Sequence, residues 1–237
     1  MMETLMRYAL CALICYLVGT INPSYLIARI KGFDIRKSGS GNAGGSNAVI
    51  TMGGRIGVLC SILDILKAYF AVTISVKLLP GMLFARSIAS VAVIFGHMFP
   101  FYMGFKGGKG LACLGGSILA YDALLFVIMV LSAVALAFIT DYIVFVPLTA
   151  SIAYPVAYGI MSGDWIGALI FGIATAAMWY RHFENIKRIK NGTEAHLSYL
   201  WKKDKEMERI MGAVATKSNT KGEDADKLSD PEKLNLK

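Results

Sequence analysis

Residues 9–30 read ALCALICYLVGTINPSYLIARI, an apolar run whose single charge, Arg29, stands beside its end. A helix of that length crosses the ~30 Å hydrocarbon core of a bilayer. A secretory leader would have a shorter apolar part and would close on a small-residue cleavage site. None stands out here, so the run is read as a membrane span that stays in the chain. Working outward, six more apolar runs lie between charged breaks: Ile56–Leu79, Phe84–Phe101, Leu111–Tyr121, Ala123–Ile139, Tyr142–Met161 and Trp165–Tyr180. The run at Leu111 is well short of the ~20 residues that a straight crossing needs. Gly110, Gly115 and Gly116 further weaken it as a lone helix.

Composition agrees with this reading. Of 237 residues, 56% are hydrophobic and 17% are charged, which excludes an ordinary soluble domain. Residues 1–180 hold 11 Lys/Arg and 6 Asp/Glu, whereas residues 181–237 hold 13 and 10. Neither part has the dense basic surface of a nucleic-acid-binding domain, and no nucleic-acid partner is expected. Cys11, Cys15, Cys60 and Cys113 all lie in or beside apolar runs without a Cys-x-x-Cys pair, and no His stands at metal-ligand spacing. They are read as small buried hydrophobes.

Parity sets the orientation. If the short run crosses, the polar regions Lys31–Arg55, Tyr102–Gly110 and the segment from Arg181 all meet on one face. Arg29, Lys31, Arg36, Lys37, Arg55, Lys106 and Lys109 then join the basic tail, leaving Arg7, Lys77 and Arg86 opposite. The expectation is an all-α integral membrane protein, a bundle of seven transmembrane helices with the N-terminus outside and the C-terminus cytoplasmic. Residues 1–196 form its membrane-embedded domain. Residues 197–237 form a charged cytoplasmic tail, with an interfacial helix carrying Leu197, Leu200, Trp201, Met207, Ile210, Met211 and Val214 on one side and disorder from Lys217.

Three polar regions can carry chemistry. The first, Ser38-Gly39-Ser40-Gly41-Asn42-Ala43-Gly44-Gly45-Ser46-Asn47, can turn backbone N–H groups and hydroxyls toward a phosphate, or serve as a flexible connector. It is no nucleotide P-loop, because no Gly-Lys-Ser/Thr follows. The second, from His97 to Gly110, sets Lys106 and Lys109 around Gly107-Gly108 at a helix start, which suits an anion. Its plain alternative is positive-inside anchoring, which leaves the glycines unexplained. His97 is open between a structural hydrogen bond and a site contact. In the third, Arg181–Glu194, helical spacing puts His182 and Asn185 on one face toward one ligand; the alternative is an interfacial charge cluster. Asp64 and Lys67, three apart inside an apolar run, are read as a mutually neutralising pair.

Taken together, Gly39-Ser40-Gly41-Asn42 with Gly44 and Asn47, Leu63-Asp64-Ile65-Leu66-Lys67, Gly96-His97 with Phe99-Pro100, Phe105-Lys106-Gly107-Gly108-Lys109-Gly110 and His182 with Glu184-Asn185-Ile186 resemble the bacterial acyl-phosphate:glycerol-3-phosphate acyltransferase family, often called PlsY. The resemblance covers about residues 9–194. It implies seven helices with cytoplasmic motif loops in a bacterial cell membrane. It also implies transfer of a fatty acyl group from acyl phosphate to the 1-hydroxyl of glycerol 3-phosphate, without cofactor or metal. By the same resemblance Ser40, Lys109, His182 and Asn185 are catalytic. Gly41, Asn42, Ser46, Asn47, Lys106, Gly107, Gly108 and Glu184 would bind substrate. Four departures stand out: Ile50 and Phe183 where the family usually has Arg, Ser46 where it has Thr, and Asp141–Pro147 where it has a polar Arg-Tyr-Val-Ser-Leu-Ala-Ser segment. They keep open a lipid-phosphate-binding paralogue without turnover, or an organophosphate transporter. Acyl-chain preference and oligomeric state are not set by the sequence.

Overall fold

Asn22-Pro23 divides the first apolar run into two helices. Pro23 has no N–H to continue a helix and suits a first turn, and the Asn22 side chain accepts the Tyr25 N–H at 2.8 Å as an N-cap. The computed structural model describes residues 1–200 and 202–221. Among them the order is α1 (Met2–Thr20), α2 (Pro23–Ile30), α3 (Gly45–Met52), α4 (Gly54–Leu78), α5 (Ala85–Met98), α6 (Leu111–Tyr121), α7 (Ala123–Thr140), α8 (Phe145–Ser162), α9 (Trp165–Lys190) and α10 (Lys203–Lys221). Short 3₁₀ turns occupy Ile35–Lys37, Phe101–Met103 and Leu197–Leu200.

All seven expected runs are helical, the first as α1–α2 and the others as α4 to α9. Four are long and apolar enough to cross a membrane: Met2–Ile30, Gly54–Leu78, Ala123–Thr140 and Phe145–Ser162. α5 and α6 have 14 and 11 residues. α9 has 26 residues and passes from the apolar Trp165–Tyr180 into a charged end. Large apolar side chains cover the outside, with Leu124, Leu131, Phe138 and Leu169 all about two-thirds exposed or more. So much outward apolar surface is stable against lipid and not against water.

Helix packing depends on small residues. A Cβ on Gly19 would strike the Val93 carbonyl and one on Gly96 the Tyr16 carbonyl, so α1 and α5 touch backbone to backbone. Gly116 lets α6 lie on the Ile65 carbonyl of α4 in the same way. The residue that weakens α6 alone therefore seats it in the bundle. Tyr154, Tyr158 and Phe171 join α8 to α9, with ring centroids 4.9–6.2 Å apart. All four cysteines are unpaired and buried, as their apolar surroundings suggest.

Two elements depart from the sequence reading. The first polar loop contains α3, whose Val49 packs on Gly57 of α4; apolar Ala48 and Val49 inside a Gly/Ser-rich stretch supply the signal. Beyond residue 196 the chain packs back. Leu197 is buried with Ala137 and Val146, and its N–H donates to the Asp141 carbonyl at 2.7 Å. α10 continues through Lys217 to Lys221; the expected disorder otherwise falls outside the described residues, as does Trp201.

Candidate active site

The first loop is built around Asn47. Its amide nitrogen donates to the carbonyls of Ile35 at 3.0 Å, Ser38 at 3.0 Å and Asn42 at 2.8 Å, and its oxygen accepts the Ser40 N–H at 2.8 Å. At about 1 kcal/mol net for each such bond, this fully buried side chain holds the loop's shape. Gly39 and Gly41 have φ of +59° and +71°, a region that favours glycine, and a Cβ on Gly39 would meet the Asn47 amide. Ser40, Gly41 and Ser46 are left exposed on the outer side of the loop, with Asn42 half-buried. The Asn22 side chain donates to the Ala43 carbonyl at 2.8 Å, so the α1–α2 break anchors the same loop.

The second loop lies beside the first. Arg36 pairs with Asp34 at 2.7 Å and reaches the Met103 carbonyl at 2.5 Å. A Cβ on Gly44 would stand 4.0 Å from the Gly108 Cα. The N–H groups of Gly107 and Gly108 donate to the carbonyls of Met98 and His97, both at 3.0 Å. These glycines are buried, with their N–H groups spent and no room for a Cβ, so they let the loop pack tightly on His97 and do not supply donors. Beneath Gly108 lies the His97 ring, onto which a Cβ at that position would fall. His97 Nδ1 is 3.3 Å from Asp64 and 3.2 Å from Lys67, whose ammonium is 2.6 Å from Asp64. The Asp64–Lys67 pair is present as the sequence suggests, and His97 completes it under the loop. Asp64, His97 and Cys113 hold their ligand atoms within 4.8 Å of one another, but the Lys67 ammonium already supplies the positive charge there.

The third region meets the second directly. Lys109 donates to the Asn185 side-chain oxygen, and Arg181 donates to the Gly107 carbonyl at 2.9 Å while its guanidinium lies 5.9 Å from the Phe99 ring centre. Asn185 in turn donates to Glu194 at 2.6 Å, and Arg188 holds the other Glu194 oxygen at 2.6 Å. His182 and Asn185 are both buried on one face of α9. His182 Nδ1 is 2.7 Å from the Met178 carbonyl; a carbonyl can only accept, so Nδ1 carries the proton and Nε2 its lone pair.

Electrostatics divide the roles. Burial, with Arg188 and Arg181 nearby and partly offset by Glu194, lowers Lys109 to about 8. His182, past the apolar part of α9, is lowered to about 4 by burial and by Lys109 and Arg181. Near neutral pH the cluster therefore offers an ammonium, two guanidinium groups and a neutral imidazole, a set that receives a phosphate anion and one hydroxyl.

Of the expected residues, Lys109, His182 and Asn185 converge with Gly107 and Gly108, and the loop carrying Ser40, Gly41, Asn42, Ser46 and Asn47 adjoins them. Lys106 is exposed. Glu184 turns outward and pairs with Lys187 at 3.1 Å, away from His182 and Asn185. Glu194 is the carboxylate that reaches the cluster. Arg181, Arg188 and Glu194 were not singled out as site residues, although Arg181, Asn185 and Arg188 at i, i+4 and i+7 share a helical stripe that would have pointed to them.

Comparison with known proteins gives a consistent result. The profile of a family described as glycerol-3-phosphate acyltransferase matches residues 9–192. The glycerol-3-phosphate acyltransferase of Clostridioides difficile (strain 630) is 37% identical over 192 residues, 79% of this chain and 94% of that protein. That of Bacillus subtilis (strain 168) is 35% identical over 196 residues, 82% of this chain and 100% of that protein. Two crystal structures of PlsY, described as an integral membrane glycerol 3-phosphate acyltransferase, are 30% identical to this chain. The glycerol 3-phosphate form aligns with TM-score 0.75 over 81% of this chain and 96% of its own, and the lysophosphatidic acid form with 0.71 over 80% and 94%.

Proposed function

This chain belongs to the glycerol-3-phosphate acyltransferase family, and from that premise we propose how its three polar regions perform the reaction. The protein transfers a fatty acyl group to glycerol 3-phosphate at a membrane, giving lysophosphatidic acid. For the donor we propose acyl phosphate. Its acyl carbon is already activated, so no enzyme nucleophile is needed and the protein's work is positioning two anions and stabilising charge.

In this reading Lys109 and Arg181 take the donor phosphate, and Gly107 and Gly108 let the loop pack closely enough on His97 to place Lys109 there. Ser40, Gly41, Asn42 and Ser46 form the opposing wall, and Asn47 keeps that wall in shape. His182 and Asn185 hold glycerol 3-phosphate, and the His182 Nε2 lone pair receives a hydrogen bond from the 1-hydroxyl. The hydroxyl oxygen bonds to the acyl carbon, the bond from that carbon to the phosphate oxygen breaks, and the departing phosphate carries off the proton. Lys106 attracts anions from outside, and Glu184 contributes by its charge pair with Lys187. Arg181 and Arg188 supply the positive charge that Ile50 and Phe183 do not. The observation that carries this reading is the pair of contacts joining the second loop to α9, Lys109 to Asn185 and Arg181 to Gly107.

We place the loops and C-terminus in the cytoplasm, with seven crossings of a bacterial cell membrane. The distribution of Lys and Arg and the contacts among the three regions support that placement. Acyl transfer is assigned to residues 1–196. The test is phosphate release from acyl phosphate by detergent-solubilised protein, with and without glycerol 3-phosphate. Release that requires glycerol 3-phosphate and falls at least ~100-fold in Lys109→Ala is the expected outcome, the scale for losing one preorganised charge donor. No release at any substrate concentration overturns the reading. Binding without release would identify a lipid-phosphate-binding relative, and vesicle uptake without chemistry an organophosphate transporter. Ile50→Arg is expected to raise the rate if that position faces the phosphate.

A further inference from the structure

The family profile ends at residue 192, and the whole Bacillus subtilis relative aligns with 82% of this chain. α10 lies beyond the profile, yet it is bonded to the site. Arg209 of α10 donates to the Gly192 carbonyl at 2.6 Å and to the Glu194 carbonyl at 2.7 Å. Its guanidinium is held by Glu206 at 2.6 Å and 3.0 Å. Glu206 is buried and also accepts the His196 N–H at 2.8 Å. Three backbone groups of the 192–196 turn are thus fixed by one ion pair on α10. Within that turn the Glu194 carboxylate joins Asn185 and Arg188, and Asn185 receives Lys109.

We propose that α10 is a brace for the active site, with Arg209 a positioning residue that acts through Glu194 to fix the Asn185 amide. The physical reason lies in the amide itself. Asn185 accepts from Lys109 with its oxygen and donates to Glu194 with its nitrogen, so the donor-only ammonium and the acceptor-only carboxylate together fix which way the amide faces. A turn at a helix end is a low-stability segment, and Glu194 keeps its half of that hold to the extent that the turn is fixed. α9 holds it through the bonds of Gly192, Thr193 and Glu194 N–H to the Ile189 and Arg188 carbonyls, and α10 adds the guanidinium clamp from the other side. Other groups of the extension bind elsewhere. His196 lies 3.4 Å from Asp141, 3.6 Å from Glu206 and 2.9 Å from the Tyr142 hydroxyl, tying the extension to the segment between α7 and α8.

This inference rests on Asn185 serving the reaction, and the test separates the two. Full-length Arg209→Ala, Arg209→Lys, Asn185→Ala and the double variant Arg209→Ala/Asn185→Ala are compared for kcat, for KM of each substrate and for thermal unfolding in detergent. A misplacement of about 1 Å can cost about 100-fold in rate, and loss of one of the two holds on the turn shifts Asn185 by less, so Arg209→Ala is expected to lower kcat by about tenfold, with Arg209→Lys restoring part of the loss. The double variant is expected to be no slower than Asn185→Ala, because the brace has no target there. If Asn185→Ala keeps the wild-type rate, the site reading fails. The brace fails if Asn185→Ala is slow while Arg209→Ala turns over normally. It fails equally if Arg209→Ala slows both backgrounds by the same factor, which marks a general loss of structure.

Discussion

Lys109 is held where burial and two guanidinium groups oppose its charge, and that gives the site a measurable pH signature. The ammonium is present below about 8 and lost above it, so kcat/KM, which reports the unliganded enzyme, is expected to fall as pH rises through that value. Stability moves the other way. The unfolded chain keeps the proton up to the ordinary value of 10.5, so between about 8 and 10.5 it binds more protons than the native state and stability rises with pH. A detergent melt and a rate profile over the same range therefore separate titration of the site from unfolding. A profile flat to pH 10 would remove Lys109 from the chemistry. His182, lowered to about 4, is neutral throughout this range, and no step near pH 6.5 is expected from it. Gly108→Ala is predicted to destabilise by about 2 kcal/mol, as overpacking does, because its Cβ would fall on a His97 ring that Asp64 and Lys67 keep from moving. Sequence spacing alone brought His182 and Asn185 to one face. It did not separate Glu184 from Glu194, because a carboxylate two residues from His182 points away on a helix while one beyond the helix end can fold back.

Among the helices, packing is governed by where a Cβ is missing. Gly96→Ala would drive a methyl into the Tyr16 carbonyl of α1, where neither backbone can give way. A loss of about 2 kcal/mol is expected, within the range for overpacked cores. Gly172 of α9 has nothing within 4 Å, and Gly172→Ala should instead stabilise α9 by about 0.5–1 kcal/mol through helix propensity alone. Thermal melts of the two variants in one detergent check both signs, and equal effects would refute close contact between α1 and α5. The apolar runs gave the positions of α4 to α9 directly, since a lipid-facing helix must be apolar along its length. The Asn22-Pro23 break, α3 and α10 were less legible. The break and α3 carry local signals, the Asn22 cap with Pro23 and the apolar Ala48 and Val49, which the apolar or Gly/Ser-rich residues around them mask. The seat of α10 instead depends on partners distant in sequence, Arg209 on the 192–194 turn.

For the whole molecule, the proposed orientation predicts which positions face the same compartment. Lys37, Lys187 and Lys77 are exposed, and the native cysteines are buried. With the four native cysteines left in their buried places, Lys37→Cys and Lys187→Cys are expected to react with an impermeant maleimide from the cytoplasmic side, and Lys77→Cys from the other. Labelling of Lys37→Cys and Lys187→Cys from opposite sides would overturn both the seven crossings and the shared face. The sequence by itself determined an all-helical membrane protein, its apolar runs and three polar stretches rich in Gly, Ser, Asn and basic residues. Those properties follow from local composition, because lipid demands apolar side chains and anion chemistry demands Gly, Ser, Asn and Lys close together in the chain. Tertiary structure decided which side chains of those stretches meet. Lys109, Asn185 and Glu194 are joined by the way α9 packs against α5, from whose end the loop carrying Lys109 runs. Asn47 is spent inside its own loop, and a helix past residue 200 reaches back to the site. Such contacts are set by the distance and direction between elements far apart in the chain, which no local pattern encodes.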